Sequence, residues 1–323
     1  MKIPFLARRP VCLATAPLGI VVLTLLCTAL CTASVAQAQN FVPGTGHFLP
    51  QVGDDFEDPE WSFKMNWPKS SRNIDDRTRN PTGISKNRRW YEGVKRGMPD
   101  HIRRVETPEG GLEGSEGALL LQSMLVGMPK SHTYKMQQDD FIADVKYILR
   151  GAIPASRSPS VVTRVYVPPF DQWEERNGCS FAFRAALEPR FPRPKSRENW
   201  NEPDTYWPGF LIDFQSKEKG HDRDAAFIRV RARSSGADYR KVEIKETGWW
   251  TFGMSFSPDG YVHYYVKKGV EDLTAEDHIA SHLPYGSRMK EFNTFFFNVC
   301  SYDDGKTWST PWIVDDPSVY VRR

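Results

Sequence analysis

Alternation of apolar and polar residues over short runs dominates this chain from position 117 onward. The runs 118–123, 143–149, 161–167, 180–187, 210–215, 226–233, 240–244, 249–256, 261–267, 294–300 and 319–321 read as strands. Glycine, proline and Asp-Gly pairs separate them, as turns require. Many short strands without a long amphipathic helix predict an all-β protein, a two-sheet sandwich or a barrel, and argue against an α/β enzyme. One short surface helix is expected over 271–281, started by the capping pair Thr274 and Asp277. No internal repeat is long enough to specify a propeller or solenoid.

A period of two places successive side chains on opposite faces of a sheet. Phe210, Ile212 and Phe214 share one face, Asp213 and Gln215 the other. Ile228, Val230 and Ala232 form a core side, leaving Arg229, Arg231 and Arg233 outward. Val262, Tyr264 and Val266 pack inward, with His263 and Tyr265 opposite. If these strands are neighbours, one outer face gathers Asp213, Gln215, Arg229, Arg231, His263 and Tyr265. Charge on a solvated sheet face needs no special cause, yet this set is suited to orienting the hydroxyls or carboxylate of a sugar. Trp207, beside Pro208 and Gly209 at a strand entrance, offers a flat ring for stacking on a sugar or for plugging a sandwich edge.

The N-terminal segment, 1–38, reads as an export signal: Lys2, Arg8 and Arg9 are basic, 11–30 is largely apolar, and Ala36-Gln37-Ala38 is a small-x-small cleavage site. Retention as a membrane anchor is the alternative. Leu30 before Cys31 argues against lipidation, and no later segment approaches a membrane span. Cleavage after Ala38 leaves 285 residues, enough for an extended leader at 39–53 and one large β domain at 54–323. The excess of 43 Lys and Arg over 40 Asp and Glu equals the three basic residues of the signal. The secreted or periplasmic chain is therefore formally neutral, which argues against a dedicated nucleic-acid binder.

Charge is nonetheless uneven. Residues 62–104 carry 12 Lys or Arg against 4 acids, whereas 255–319 carry 5 against 10. Either these are solvated faces, or the first is a basic patch that attracts a polyanionic glycan. Residues 68–116 lack sustained periodicity and read as a long decorated connection that packs over an edge or hides short strands. Only Cys179 and Cys300 follow the signal; they can form one disulfide in an oxidising compartment, or sit apart as small buried hydrophobes.

Trp249 and Trp250, the alternating 252–256, the Pro258-Asp259-Gly260 turn and the aromatic strand 261–266 together resemble the concanavalin A-like lectin/glucanase superfamily. The stretch Asp54–Trp61 is similar to the opening strand of such domains, and 312–320 to their closing strand. The resemblance implies a two-sheet antiparallel jelly roll whose first and last strands pair, with a structural calcium near their meeting point. Asp55, Glu57, Asp315 and Asp316 are the oxygen donors it would use. Ser301-x-Asp303-x-Gly305-x-Thr307-Trp308 is similar to the Asp-box of sialidase-like propellers, but occurs once. As a turn it should have Asp303 accepting turn amides, Gly305 at positive φ, and Trp308 packed beneath.

Glycoside hydrolysis generally uses two carboxylates, and Asp213 with Glu243 is the best pair available. A uronate lyase needs a base, here His263 or Tyr265, and a cation such as Arg229 or Arg231 to neutralise the carboxylate. The Glu-x-Asp-x-Glu strand of the glucanases and the Gln-Ile-His element of alginate-lyase-like jelly rolls are both absent. So is a Gly-x-Ser-x-Gly elbow. His278 and His282, four apart, would share a helical face but fit a loop role better than zinc. The leading expectation is a secreted protein that binds a polysaccharide or oligosaccharide, acidic ones included, through Trp207 and the outer-face set. A glycan-cleaving enzyme is the second class, and a structural or adhesive surface protein the third.

Overall fold

Trp90, Phe141, Phe297, Phe181 and Trp312 are each no more than 1% exposed. Phe141 stacks on Trp90, Trp90 on Phe297, Phe297 on Phe181 and Phe181 on Trp312, with ring centres 4.5, 6.0, 5.8 and 4.8 Å apart. This aromatic column fills the space between two antiparallel sheets in a computed structural model that describes residues 42–77, 79, 83–127, 132–191 and 204–322. Strands are numbered in chain order. The eight-stranded sheet runs β16 (His278–His282), β15 (Val262–Lys268), β14 (Gly248–Phe256), β9 (Ser160–Val167), β18 (Trp312–Val321), β6 (Gly117–Gln122) and β5 (His101–Glu106), with β1 (His47–Gly53) also on β18. The ten-stranded sheet runs β13 (Asp238–Ile244), β12 (Ala225–Arg231), β11 (Gly209–Gln215), β10 (Gly178–Pro189), β17 (Met289–Tyr302), β7 (Met136–Ala143), β4 (Trp90–Glu92), β3 (Ile84–Ser85) and β2 (Phe63–Lys64), with β8 (Ile153–Pro154) on β17.

The protein is thus all-β, a sandwich of two antiparallel sheets of the jelly-roll kind. The predicted core faces hold: Phe210, Ile212, Phe214, Ile228, Val230, Val262 and Tyr264 are all buried. Tyr264 also ties the layers together, its hydroxyl donating to the Arg231 carbonyl at 2.9 Å.

Several local expectations are corrected. The opening strand is His47–Gly53, inside the presumed leader, and not Asp54–Trp61; Pro50 and an irregular register break its period of two. It does pair with the closing strand, His47 opposite Val321. The run 143–149 turns into a helical turn, Val145–Ile148, and the true strand lies just before it, in the polar sequence of β7. The helix expected over 271–281 is a single 3-10 turn, Ala275–Asp277, followed by β16. Its start is as expected, with the Thr274 amide and hydroxyl donating to Asp277. The long connection 68–116 hides β3, β4 and β5, and β2 lies just before it. The export signal expected at 1–38 lies outside the described residues, among which no helix is long and apolar enough to cross a membrane.

The hairpin at 303–307 is also built differently. Asp304 accepts the Lys306 and Thr307 amides, while buried Asp303 accepts the Thr133 amide and hydroxyl. Gly305 has φ 68°. Trp308 is 37% exposed and stacks on His101 at 4.3 Å. Cys179 and Cys300 come together on β10 and β17, with Sγ atoms 3.7 Å apart as free thiols.

Asp54, just past β1, accepts the indole N–H of both Trp61 and Trp90 at 3.0 Å. Those rings sit against Phe56 beside the aromatic column. Removing the acceptor strands two buried donors, each costing about 1–3 kcal/mol. Asp54→Ala should therefore lower unfolding stability by roughly 2–4 kcal/mol, read from the urea midpoint; an unchanged midpoint would refute this anchoring role.

Candidate functional site

Strands β11, β12 and β13 are neighbours. Their register aligns Asp213 with Phe227 and Glu243, and Gly209 with Arg231 and Asp238. Asp213, Gln215, Arg229 and Arg231 accordingly share the outer face of the ten-stranded sheet. Strand β15 belongs to the other sheet, so His263 and Tyr265 lie on the opposite outer face. Alternation sorts faces within a strand but does not say which strands share a sheet.

Asp213 accepts Arg229 at 3.1 Å and stands 3.5 Å from Arg240, while Arg229 also reaches Asp238 at 2.8 Å. Glu243 is two strand spacings away, about 9.6 Å, with Phe227 between and the Arg240 guanidinium 4.1 Å from that ring's centre. A hydrogen bond from Arg223 holds the Glu243 carboxyl below its ordinary value. Glu243 is therefore not the protonated acid that glycoside hydrolysis requires, and Asp213 is enclosed by arginines.

The deeper feature of this face is a groove made of two adjoining recesses, of about 370 and 490 Å³, which share Lys95, Asp140, Trp207 and Phe296. Trp207 comes from the segment entering β11, and Lys95 and Arg96 from the loop after β4. Arg184, Arg231, Phe296 and Asp140 project from β10, β12, β17 and β7. The Lys95 ammonium lies 5.5 Å from the Trp207 ring centre, and the Arg184 guanidinium 5.5 Å from that of Phe296. Arg184 donates to the Trp207 carbonyl at 3.0 Å, fixing the loop that carries the indole. Asp140 accepts Asn298 at 2.6 Å and Gln138 at 3.2 Å, and burial raises its pKa. Tyr285, in the left-handed region at φ 59°, closes one side.

The sequence pointed to Trp207 and Arg231 but missed Arg184, Lys95, Arg96 and Asp140. Arg184 had a signal: it stands on the outward parity of a strand whose Phe183 and Ala185 are buried in the core. Lys95 and Arg96 sit in the aperiodic connection, where no pattern assigns a direction.

On the opposite face, Tyr265 is 1% exposed beneath Val42 and Leu273. Burial pushes its phenol up to about 12, so it is no base near neutrality. His263 lies in a chain of contacts: Ser257 donates to Asp259, His263 Nε2 is 3.0 Å from Ser257 Oγ, and His263 Nδ1 is 2.7 Å from Ser281 Oγ. His278 Nε2 meets the same Ser281 hydroxyl at 2.7 Å. His282 instead bonds the Tyr239 hydroxyl at 2.8 Å, so the two histidines of β16 serve different partners. Because Ser257 gives its proton to Asp259, His263 carries its own on Nε2 and accepts from Ser281 at Nδ1. Burial, then the nearby His278, pulls His263 down to about 4. Nitrogen NMR should show a neutral Nε2–H imidazole from pH 8 down to about 5; a titration midpoint near 6.5 would overturn this assignment.

The acids at the β1–β18 junction are largely committed to the chain itself. Glu57 accepts the Glu116 and Gly117 amides, Asp55 the Glu57 amide, and Asp315 the Ser115 hydroxyl and Asp316 amide. No three His, Cys, Asp or Glu side chains among the described residues are arranged to hold a metal ion. Burial, then the neighbouring Asp316, raises Asp315 to about 7; burial raises Asp316 to about 6. An acid whose folded pKa exceeds its unfolded value favours the folded state below the unfolded pKa and loses that contribution as pH rises through the folded one. Asp315→Asn should therefore stabilise the protein by on the order of 2 kcal/mol at pH 8 and leave it unchanged near pH 4. Equal effects at both pH values, in chemical melts, would contradict this.

No protein-family model and no curated protein matches the sequence. Among solved structures, the chain is similar to a carbohydrate esterase of a Shiga toxin-encoding bacteriophage, at 11% identity over 74% of this chain and 92% of that one, with TM-score 0.43. It is similar to the catalytic domain of a glycoside hydrolase family 131 protein from Coprinopsis cinerea at 7% identity, 85% and 94% coverage and TM-score 0.43. An alginate lyase from Pseudomonas aeruginosa follows at 7% identity, 69% and 86% coverage and TM-score 0.40. Likenesses this distant carry no assignment of activity.

Proposed function

We propose that this is an exported saccharide-binding protein whose site is the groove over β7, β17, β10 and β12. The observation that carries the reading is the shelf made by Trp207, braced by Arg184 below and capped by Lys95. A flat aromatic ring stacks on the apolar face of a pyranose, while surrounding polar groups orient its hydroxyls. Asn298, Gln138 and Asp140 form a hydrogen-bonded set beside that ring, able both to donate and to accept.

Binding without hydrolysis is favoured by the carboxyl inventory. Asp140 is the one acid among the described residues lining the two recesses, and hydrolysis of the usual kind needs two. Trp207→Ala should weaken oligosaccharide binding by about fivefold, as stacked aromatics contribute on the order of 1 kcal/mol, with the fold intact by circular dichroism. Affinity unchanged in isothermal titration would place the saccharide elsewhere.

A further inference from the structure

Arg184 is 7% exposed, yet its Nε has no hydrogen-bond partner among the described residues, and neither does the buried Nε of Arg231. A buried, unpaired guanidinium N–H is costly. It points to an acceptor that arrives with a ligand. The partners present do not cancel the charge: Arg184 donates only to a neutral carbonyl, and Arg231 has Asp238 at 3.7 Å. Five cationic side chains, Arg72, Lys95, Arg96, Arg184 and Arg231, line the two recesses against the single acid Asp140.

The two arginines flank a glycine where the strands approach closely. Arg184, Gly209 and Arg231 sit side by side on β10, β11 and β12. A Cβ at Gly209 would meet the Phe183 carbonyl oxygen first, and Arg184 Cγ at 2.6 Å. Without it, the Arg184 stem lies across β11. The two Cα positions are about 9.6 Å apart, a span that two guanidinium groups and one small anion fill. Burial, then the charge of Arg231, depresses the Arg184 pKa to about 10, as expected of a cation withdrawn from water beside another cation.

We propose that the groove takes an acidic saccharide, a uronic-acid oligomer whose carboxylate docks between Arg184 and Arg231 while an adjacent ring stacks on Trp207. This rests on the saccharide reading above and names its class. A planar carboxylate suits the fork geometry of guanidinium donors, and its charge answers the excess in the groove.

The test is titration calorimetry of the purified protein with three probes: a hexuronate oligomer, its carboxyl-reduced neutral counterpart, and a sulfated oligosaccharide of equal length. The expected result is binding of the hexuronate at least tenfold tighter than the reduced form and than the sulfated one, weakening as salt is raised. Arg184→Gln and Arg231→Gln should each remove most of that preference, their folding being checked by thermal melts; Arg231→Gln, at a side chain 25% exposed against the nearly buried Arg184, keeps the test alive should the first variant not fold. Equal binding of the hexuronate and its neutral counterpart, or tighter binding of the sulfated probe, overturns the carboxylate assignment and leaves saccharide binding standing. Binding of none of the three, with Trp207 emission unmoved, overturns both.

Discussion

Everything in this fold hangs from the aromatic column between the sheets. Trp90, Phe141, Phe297 and Phe181 belong to the ten-stranded sheet, and Trp312 enters from the other, so the column sets how the layers meet. Interiors of this kind are packed nearly as densely as organic crystals. Rings that stack in series therefore leave the strands little freedom to slide, and a one-residue slip would bring polar side chains inside. Fixing the inward parity of β10, β11, β12 and β17 fixes the outward parity as well. Arg184, Arg231 and Phe296 face the groove because Phe183, Val230 and Phe297 face the core.

The sequence disclosed the sandwich and its parity because both follow from local periodicity. It disclosed little about which strands are neighbours, since that depends on contacts distant in the chain. His263 and Arg231 were placed on one face by parity, and topology put them on two. Strand β7 escaped notice because Gln137, Gln138, Asp139 and Asp140 break the apolar alternation; Asp139 is buried there against wholly buried Lys69 at 2.9 Å and accepts the Ser123 hydroxyl and Gly127 amide. The opening strand escaped because Pro50 interrupts it. Asp303 and Asp304 exchanged roles because two adjacent acids in a turn look alike until a neighbouring segment, here Thr133, claims one.

The groove owes its charge to the region that was least readable. The basic, aperiodic connection supplies Lys95 and Arg96 from one loop, while the regular sheet supplies Arg184 and Arg231 from beneath. A rigid floor thus carries recognition groups and a loop completes the wall, a division that lets the wall vary without disturbing the packed layers. Tyr264 strengthens the floor from behind: its bond to the Arg231 carbonyl spans the core and pins the strand that presents that arginine.

The pairing of β1 with β18 also has a temporal consequence. β18 is not an edge strand; it lies between β9 on one side and β6 and β1 on the other. The most C-terminal strand among the described residues therefore fills the middle of the eight-stranded sheet, and until it pairs, β1, β5 and β6 have no link to β9, β14 and β15. Closing contacts so far apart in sequence is slow. A chain made from its N-terminus must hold two half-sheets with unpaired edges until β18 is available, so the eight-stranded sheet closes as a unit rather than strand by strand.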